Sequence, residues 1–297
     1  MATEVGHARP MLVKTSEEPF TGGMLTEIWL VAWRSLTKLT RTPVLLFFSL
    51  FMPLIWLVMF SQTFGNVVVA SAGPGVNVPE GTPTCLIART CDYVALLLPG
   101  IAVMTAIQSA SQSGFAMVSD IESGFMDKFF VAPIRRSSVL IGKLLADGIR
   151  MAAQAGIILA IAFLLTVAVG WKIPFSTGAP GMLLIMLLSS AFGVAFSGLS
   201  NTVALRTKST EATMMVSFSL TFPLLFLSTA MLPEASLPQW VKDFSTVNPV
   251  SYVADAARAL VIEGYDWAAI GSAFLAVAIF GIILNGMAVM SFRAQGK

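Results

Sequence analysis

The sequence predicts an all-α integral membrane protein with six transmembrane helices, and three observations lead there. Of 297 residues, 56% are hydrophobic and 11% charged, with a mean hydropathy of +0.81, a balance that an ordinary soluble domain does not have. Six mostly apolar runs, residues 44–65, 94–118, 139–170, 182–205, 212–232 and 267–292, each reach the roughly 20 residues that span a hydrocarbon core. The third observation is where the eighteen Lys and Arg fall. With the N-terminus inside, fourteen lie on the cytoplasmic side and only Arg89, Lys172, Lys242 and Arg258 lie outside. That positive-inside bias places both termini in the cytoplasm. The net charge of +2 is too small, and too dispersed, to argue for nucleic acid.

Residues 1–23 are polar, are punctuated by Pro10, Pro19, Gly22 and Gly23 and lack an apolar signal core. They read as a flexible cytoplasmic tail, which leaves 24–297 as one membrane domain. Leu25, Ile28, Trp29, Ala32, Trp33, Leu36 and Leu39 then recur at spacings of three and four, with Glu27, Arg34, Lys38 and Arg41 opposite. This pattern predicts an interfacial helix whose Trp rings sit at headgroup depth. Pro53, Pro99 and Pro223 are expected to kink or break spans one, two and five. The first external loop, 66–93, holds both cysteines, Cys85 and Cys91; a disulfide or two free thiols both fit.

Between spans two and three lies a charged interruption, 120–143. Ile121, Phe125 and Phe129 recur with Met126 and Phe130 beside them, while Asp120, Ser123, Asp127 and Lys128 take the other side of the wheel. That is a short amphipathic cytoplasmic helix, weakened by Gly124 and ended near Pro133. It suits either a solvated topology loop or a docking handle for a cytoplasmic partner. The third run carries Lys143, Asp147 and Arg150 near its start, so its lipid-buried part is expected at 151–170. Small residues every four positions, Gly148, Ala152, Gly156 and Ala160 in span three and Ser189, Gly193 and Ser197 in span four, predict close helix packing. In the external loop between spans five and six, Trp240 and Phe244 are four apart, and Asn248-Pro249 precedes helical spacing at Val253, Ala256, Ala257, Leu260 and Val261. Short helices covering the outer face of the spans are expected there.

Two polar stripes stand out inside the spans. Thr105, Gln108 and Gln112 share a face of span two; Thr213, Ser217 and Thr221 share one of span five, beside Met214, Phe218 and Phe222. Such stripes serve interhelical hydrogen bonding or a path for an amphipathic solute. No Asp, Glu, Lys, Arg or His lies in the spans once the third is trimmed to 151–170, which argues against a proton relay. The single histidine is His7, and neither H-E-x-x-H nor G-x-S-x-G occurs, so neither a metal site nor a catalytic residue is expected. No G-x-x-x-x-G-K-[ST] loop is present either. Energy for transport would have to come from another polypeptide.

The order of these elements resembles the membrane subunit of ABC type 2 exporters, and within them the bacterial permeases of the daunorubicin drug-resistance type. Two stretches carry the resemblance: ESGFMDKFFVAPIRRSSVLIGKLLAD and LPEASLPQWVKDFSTVNPVSYVADAARALVIEG. The first departs from the family by having Phe125-Met126 where a Thr-Leu type pair is common. The resemblance implies a dimer with a second permease copy or a paralogue, and an ABC ATPase subunit that holds ATP and Mg; this chain itself holds no cofactor. It makes the cytoplasmic segment a coupling helix, with Asp120, Glu122, Phe125, Asp127, Lys128, Phe129 and Arg135 facing the ATPase. It further implies alternating access in the plasma (inner) membrane and export of a hydrophobic or amphipathic, drug-like or lipid-like compound. A hydrophobic cargo also follows from spans without buried charge. A non-transporting scaffold or assembly subunit is the alternative, followed by a secondary carrier and a membrane enzyme.

Overall fold

Helix formation follows hydropathy along the chain. A computed structural model describes residues 23–40, 43–71, 93–124, 136–170, 172–231 and 237–294. Outside them lie residues 1–22 of the expected tail, Cys85 and Cys91, and the coupling residues Phe125, Asp127, Lys128, Phe129 and Arg135. The described elements are α1 (Met24–Thr40), α2 (Pro43–Ser71), α3 (Tyr93–Glu122), α4 (Arg136–Val169), α5 (Gly178–Thr207), α6 (Thr210–Phe226), α7 (Gln239–Ser245), α8 (Pro249–Ile262) and α9 (Trp267–Ala294). Among them α3, α4, α5 and α9 are long and apolar enough to cross a membrane, and Phe47–Thr63 of α2 and Thr210–Phe226 of α6 are shorter apolar helices. Among the described residues all the regular structure is helical, as in an integral membrane protein.

α3 is the central helix, buried without a break from Tyr93 to Ile107 and flanked by α2, α4, α5, α6 and α8. α9 packs on α5, and α1 packs on α4. Small residues set these distances. A Cβ on Gly198 would lie 2.6 Å from the backbone nitrogen of Asn285 in α9, and one on Gly193 would lie 2.4 Å from Met151 Sδ. Apolar side chains left exposed, such as Phe163, Leu164 and Val167 on α4 and Ile282 and Met290 on α9, point away from the bundle, as expected where the solvent is hydrocarbon.

Pro53, Pro99 and Pro223, expected to kink or break their helices, all sit inside helices that continue past them. Two other expectations are corrected. α6 stops at Phe226, short of the run to 232: the Leu227 N–H bonds Pro223 O, and Ala230 then crosses α3 so closely that a Cβ on Gly100 would lie 1.9 Å from its carbonyl oxygen. On α1 one residue of the polar side, Glu27, turns inward, while Arg34 is half-buried and Lys38 exposed. Glu27 is buried with Val31 and Ala32, and Gly142 of α4 has room for no more than hydrogen because its Cβ would meet Ile28 O at 2.7 Å. Trp29 and Trp33 remain more than half exposed, with ring centroids 6.2 Å apart, on the outer side as the interfacial reading expects.

The end of the bundle near Tyr93 is closed by α8. Asn248 is its N-cap: the side-chain oxygen accepts from the Val250 N–H at 3.0 Å while the amide donates to Leu224 O and Leu227 O at 2.7 and 3.0 Å, and Pro249 follows where a missing N–H costs nothing. Val253, Ala256, Ala257 and Leu260 are buried. Arg258 donates to Thr229 O at 2.5 Å and pairs with Asp255 at 2.6 Å. Burial pulls its pKa down and the Asp255 carboxylate opposes that shift.

Candidate functional site

The side chains that carry charge into the bundle come from α4. Lys143, Asp147, Arg150 and Gln154 are spaced four, three and four, which puts them on one face of the helix, and all four are buried. Arg150 pairs with Asp147 at 3.0 Å and donates to Ser109 O of α3 at 2.7 Å. Asp147 accepts from the Ser113 hydroxyl, which lies 3.2 Å from Asn201 Oδ1 of α5. Gln154 accepts from the Ser109 hydroxyl and donates to Ser49 of α2 at 2.7 Å. One polar network therefore ties α2, α3, α4 and α5 together. Beside it the Ser200 hydroxyl donates to Ser111 O at 3.0 Å, and Ser217 of α6 donates to Ser200 at 3.3 Å.

Toward the end of the bundle where α3 finishes and α4 begins, this network opens into a cavity of about 490 Å³. Arg34 and Lys38 of α1, Asp120 of α3 and Lys143, Asp147 and Arg150 of α4 supply its charge; Phe115, Ala116, Ala146 and Met214 supply apolar wall. Asp120 is its hub, 2.9 Å from Lys38, 3.5 Å from Arg34 and 3.9 Å from Lys143. A carboxylate shared by three cations on two other helices fixes how α1, α3 and α4 meet.

These contacts revise the expected amphipathic helix. Asp120 and Glu122 are the last turn of α3, not the start of a separate element, and the chain turns at Ser123 and Gly124, the latter with φ 65. The three cations hold Asp120 against α1 and α4, and Glu122 is exposed. The two polar stripes also separate. Thr105 and Thr213 are buried and bond back to Ile101 O and Ser209 O, and Thr221 bonds to Ser217 O. Gln108 and Gln112 are half-buried, and Gln112 lines the cavity. Phe218 and Phe222 are exposed on the outside of α6, with Phe222 stacked on Phe226 at 6.2 Å. Lys143, Asp147 and Arg150, which precede the expected lipid-buried part at 151–170, are buried among helices in the first half of α4. Their periodicity was available in the sequence, whereas Ser49, Ser109, Ser113 and Asn201 carried no signal of their own.

The family model described as ABC-2 type transporter matches residues 26–262. The chain is 27% identical over 231 residues to a daunorubicin resistance ABC transporter permease of Streptomyces coeruleorubidus, covering 77% of this chain and 72% of that one. It is 24% identical over 231 residues to a probable doxorubicin resistance ABC transporter permease of Mycobacterium tuberculosis, covering 78% and 75%. To a putative transport permease of Cyanophora paradoxa it is 25% identical over 237 residues, covering 80% and 74%. The matched span runs from α1 to the end of α8 and takes in both the network and the cavity, and on it the chain belongs to the ABC-2 type transporter family, as a transport permease.

Proposed function

We propose that this chain is the membrane subunit of an ATP-driven exporter that moves a drug-like or lipid-like amphipathic compound out of the cell. The observation that carries the reading is an ABC-2 match over residues 26–262 on a sequence with no phosphate-binding G-x-x-x-x-G-K-[ST] loop. ATP and Mg then belong to a separate ABC ATPase subunit, and no step of nucleotide chemistry falls on this chain. The drug-resistance names of two relatives support export. Charge asymmetry supports six spans with both termini in the cytoplasm of a plasma-membrane protein, so that the Asp120 end of the bundle faces the ATPase.

In this reading the segment 120–135 receives the ATPase, and Asp120 passes its movement on. Because that carboxylate ties the end of α3 to α1 and to the start of α4, displacement of the segment bears on three helices at once. Two permease copies enclose the cargo path by alternating access. Gln108 and Gln112 with Met214, Phe218 and Phe222 line it, and the buried Thr105, Thr213, Ser217 and Thr221 pack behind it, with Ser217 bonded to Ser200 of α5. Double substitution of Asp127 and Lys128 by Ala in the intact complex tests the docking role, because interface charges set register between partners. Weakened co-purification with the ATPase and lower stimulated ATP hydrolysis are expected. Unchanged association and unchanged hydrolysis would contradict it.

A further inference from the structure

Away from the Asp120 cavity, a second recess of about 470 Å³ lies where the ends of α5 and α9 meet, lined by Leu205, Arg206, Lys208, Met290, Ser291 and Ala294. Arg206 and Lys208 are exposed and form the last turn of α5 and its cap, where a cation suits the helix dipole. That role needs no third group, yet Ser291 supplies one. It is 7% exposed, and its hydroxyl accepts from Arg206 Nε at 3.2 Å, which ties the guanidinium to α9. Among the described residues the two remaining guanidinium nitrogens, Lys208 Nζ and the Ser291 hydroxyl proton meet no acceptor. Glu211, three positions beyond Lys208, is exposed and pairs with neither cation.

The outer side of α9 continues the recess along the helix. Ile279, Ile283, Gly286 and Met290 are spaced four, three and four, which makes one stripe. Its three side chains are exposed, and Gly286 leaves a notch among them, because a Cβ there would meet nothing within 4 Å. Donors at the end of an apolar stripe match the two halves of a phospholipid. We propose that the recess binds an anionic glycerophospholipid of the adjoining leaflet, with its phosphate on Arg206, Lys208 and Ser291 Oγ and one acyl chain over the Gly286 notch. Guanidinium and ammonium groups both suit phosphate oxygens, and basic residues at a membrane surface attract anionic head groups. A free phosphate would use the donors and leave the stripe idle, whereas a zwitterionic lipid would bring its own cation against Arg206 and Lys208. The orientation proposed above enters only in making that leaflet the cytoplasmic one.

The test is native mass spectrometry of the full chain in a neutral detergent, titrated separately with dioleoylphosphatidylglycerol, dioleoylphosphatidylcholine and inorganic phosphate. Phosphatidylglycerol is expected to bind about tenfold more tightly than phosphatidylcholine, the equivalent of about 1.4 kcal/mol, and not to be displaced by an equal concentration of phosphate. Arg206→Gln combined with Lys208→Gln should abolish that preference, and Ser291→Ala should reduce it. Gly286→Trp, which fills the notch and leaves every donor in place, should weaken both lipids together. Lys242→Gln removes a cation of α7, at the opposite end of the bundle, and should change nothing. Both recess cations are exposed, so the double variant should melt as the unmodified chain does; if it does not fold, Gly286→Trp still decides the matter. Equal binding of the two lipids, an undiminished preference in the double variant, unchanged binding by Gly286→Trp, or phosphate binding as tightly as the lipid would overturn the proposal, the last by assigning the recess to a free anion. Binding is measured without ATP or an ATPase, so failure here leaves the transport reading standing.

Discussion

Asp147 decides whether a guanidinium buried among helices has a counterion. Removing one partner of a buried pair leaves the other charge uncompensated, at about 3–5 kcal/mol, whereas a neutral interhelical hydrogen bond in a membrane averages about 0.6 kcal/mol. Asp147→Ala should therefore lower the melting temperature of the detergent-purified protein far more than Ser217→Ala, although both residues are buried. Similar shifts for the two variants would mean that Arg150 is solvated and the network is not closed. Both residues were visible in the sequence, but their environments were not. A face spaced 143, 147, 150 and 154 looks the same whether it meets water, head groups or protein. The Ser109 carbonyl that receives Arg150 comes from a residue 41 positions away. In the same way the stripe Thr213, Ser217 and Thr221 has one periodicity whether it packs against other helices or faces a cargo path.

Among elements, hydropathy located the helices and long-range contacts set their ends. α3 runs on to Glu122 because partners on α1 and α4 hold Asp120. α6 ends early where Ala230 needs the space beside Gly100. The Asn248-Pro249 signal is local, in that cap and helix start lie within two residues, and it marked the start of α8 correctly. Small-residue stripes predicted close packing without saying which glycine meets backbone and which meets a flexible side chain. That difference is measurable. A Cβ on Gly198 would meet the backbone of Leu284 and Asn285, while one on Gly156 would meet the tip of Met186 at 2.8 Å. Overpacking costs about 1–3 kcal/mol, and Gly→Ala inside a helix returns up to about 1 kcal/mol. Gly156→Ala should thus be close to neutral in thermal melts, because Met186 can swing aside, and Gly198→Ala should be clearly destabilised. Equal melting temperatures would place α5 and α9 farther apart than described.

For the whole molecule, the proposal joins an orientation to an energy source. If the Asp120 end faces the cytoplasm, then with Cys85 and Cys91 replaced by Ser, a cysteine at exposed Gln239 is labelled in intact cells by a membrane-impermeant maleimide, and one at Lys208 is not. The reverse pattern would invert the topology and detach the segment 120–135 from any ATPase. The central claim, that this chain exports an amphipathic compound using ATP hydrolysed by another subunit, is tested most directly by transport into sealed inside-out vesicles. A fluorescent amphipathic substrate is followed with the chain and its ABC ATPase together, with each alone, and with a proton gradient in place of ATP. The account predicts ATP-dependent uptake only when both proteins are present; uptake by the chain alone, or uptake driven by the proton gradient, would contradict it.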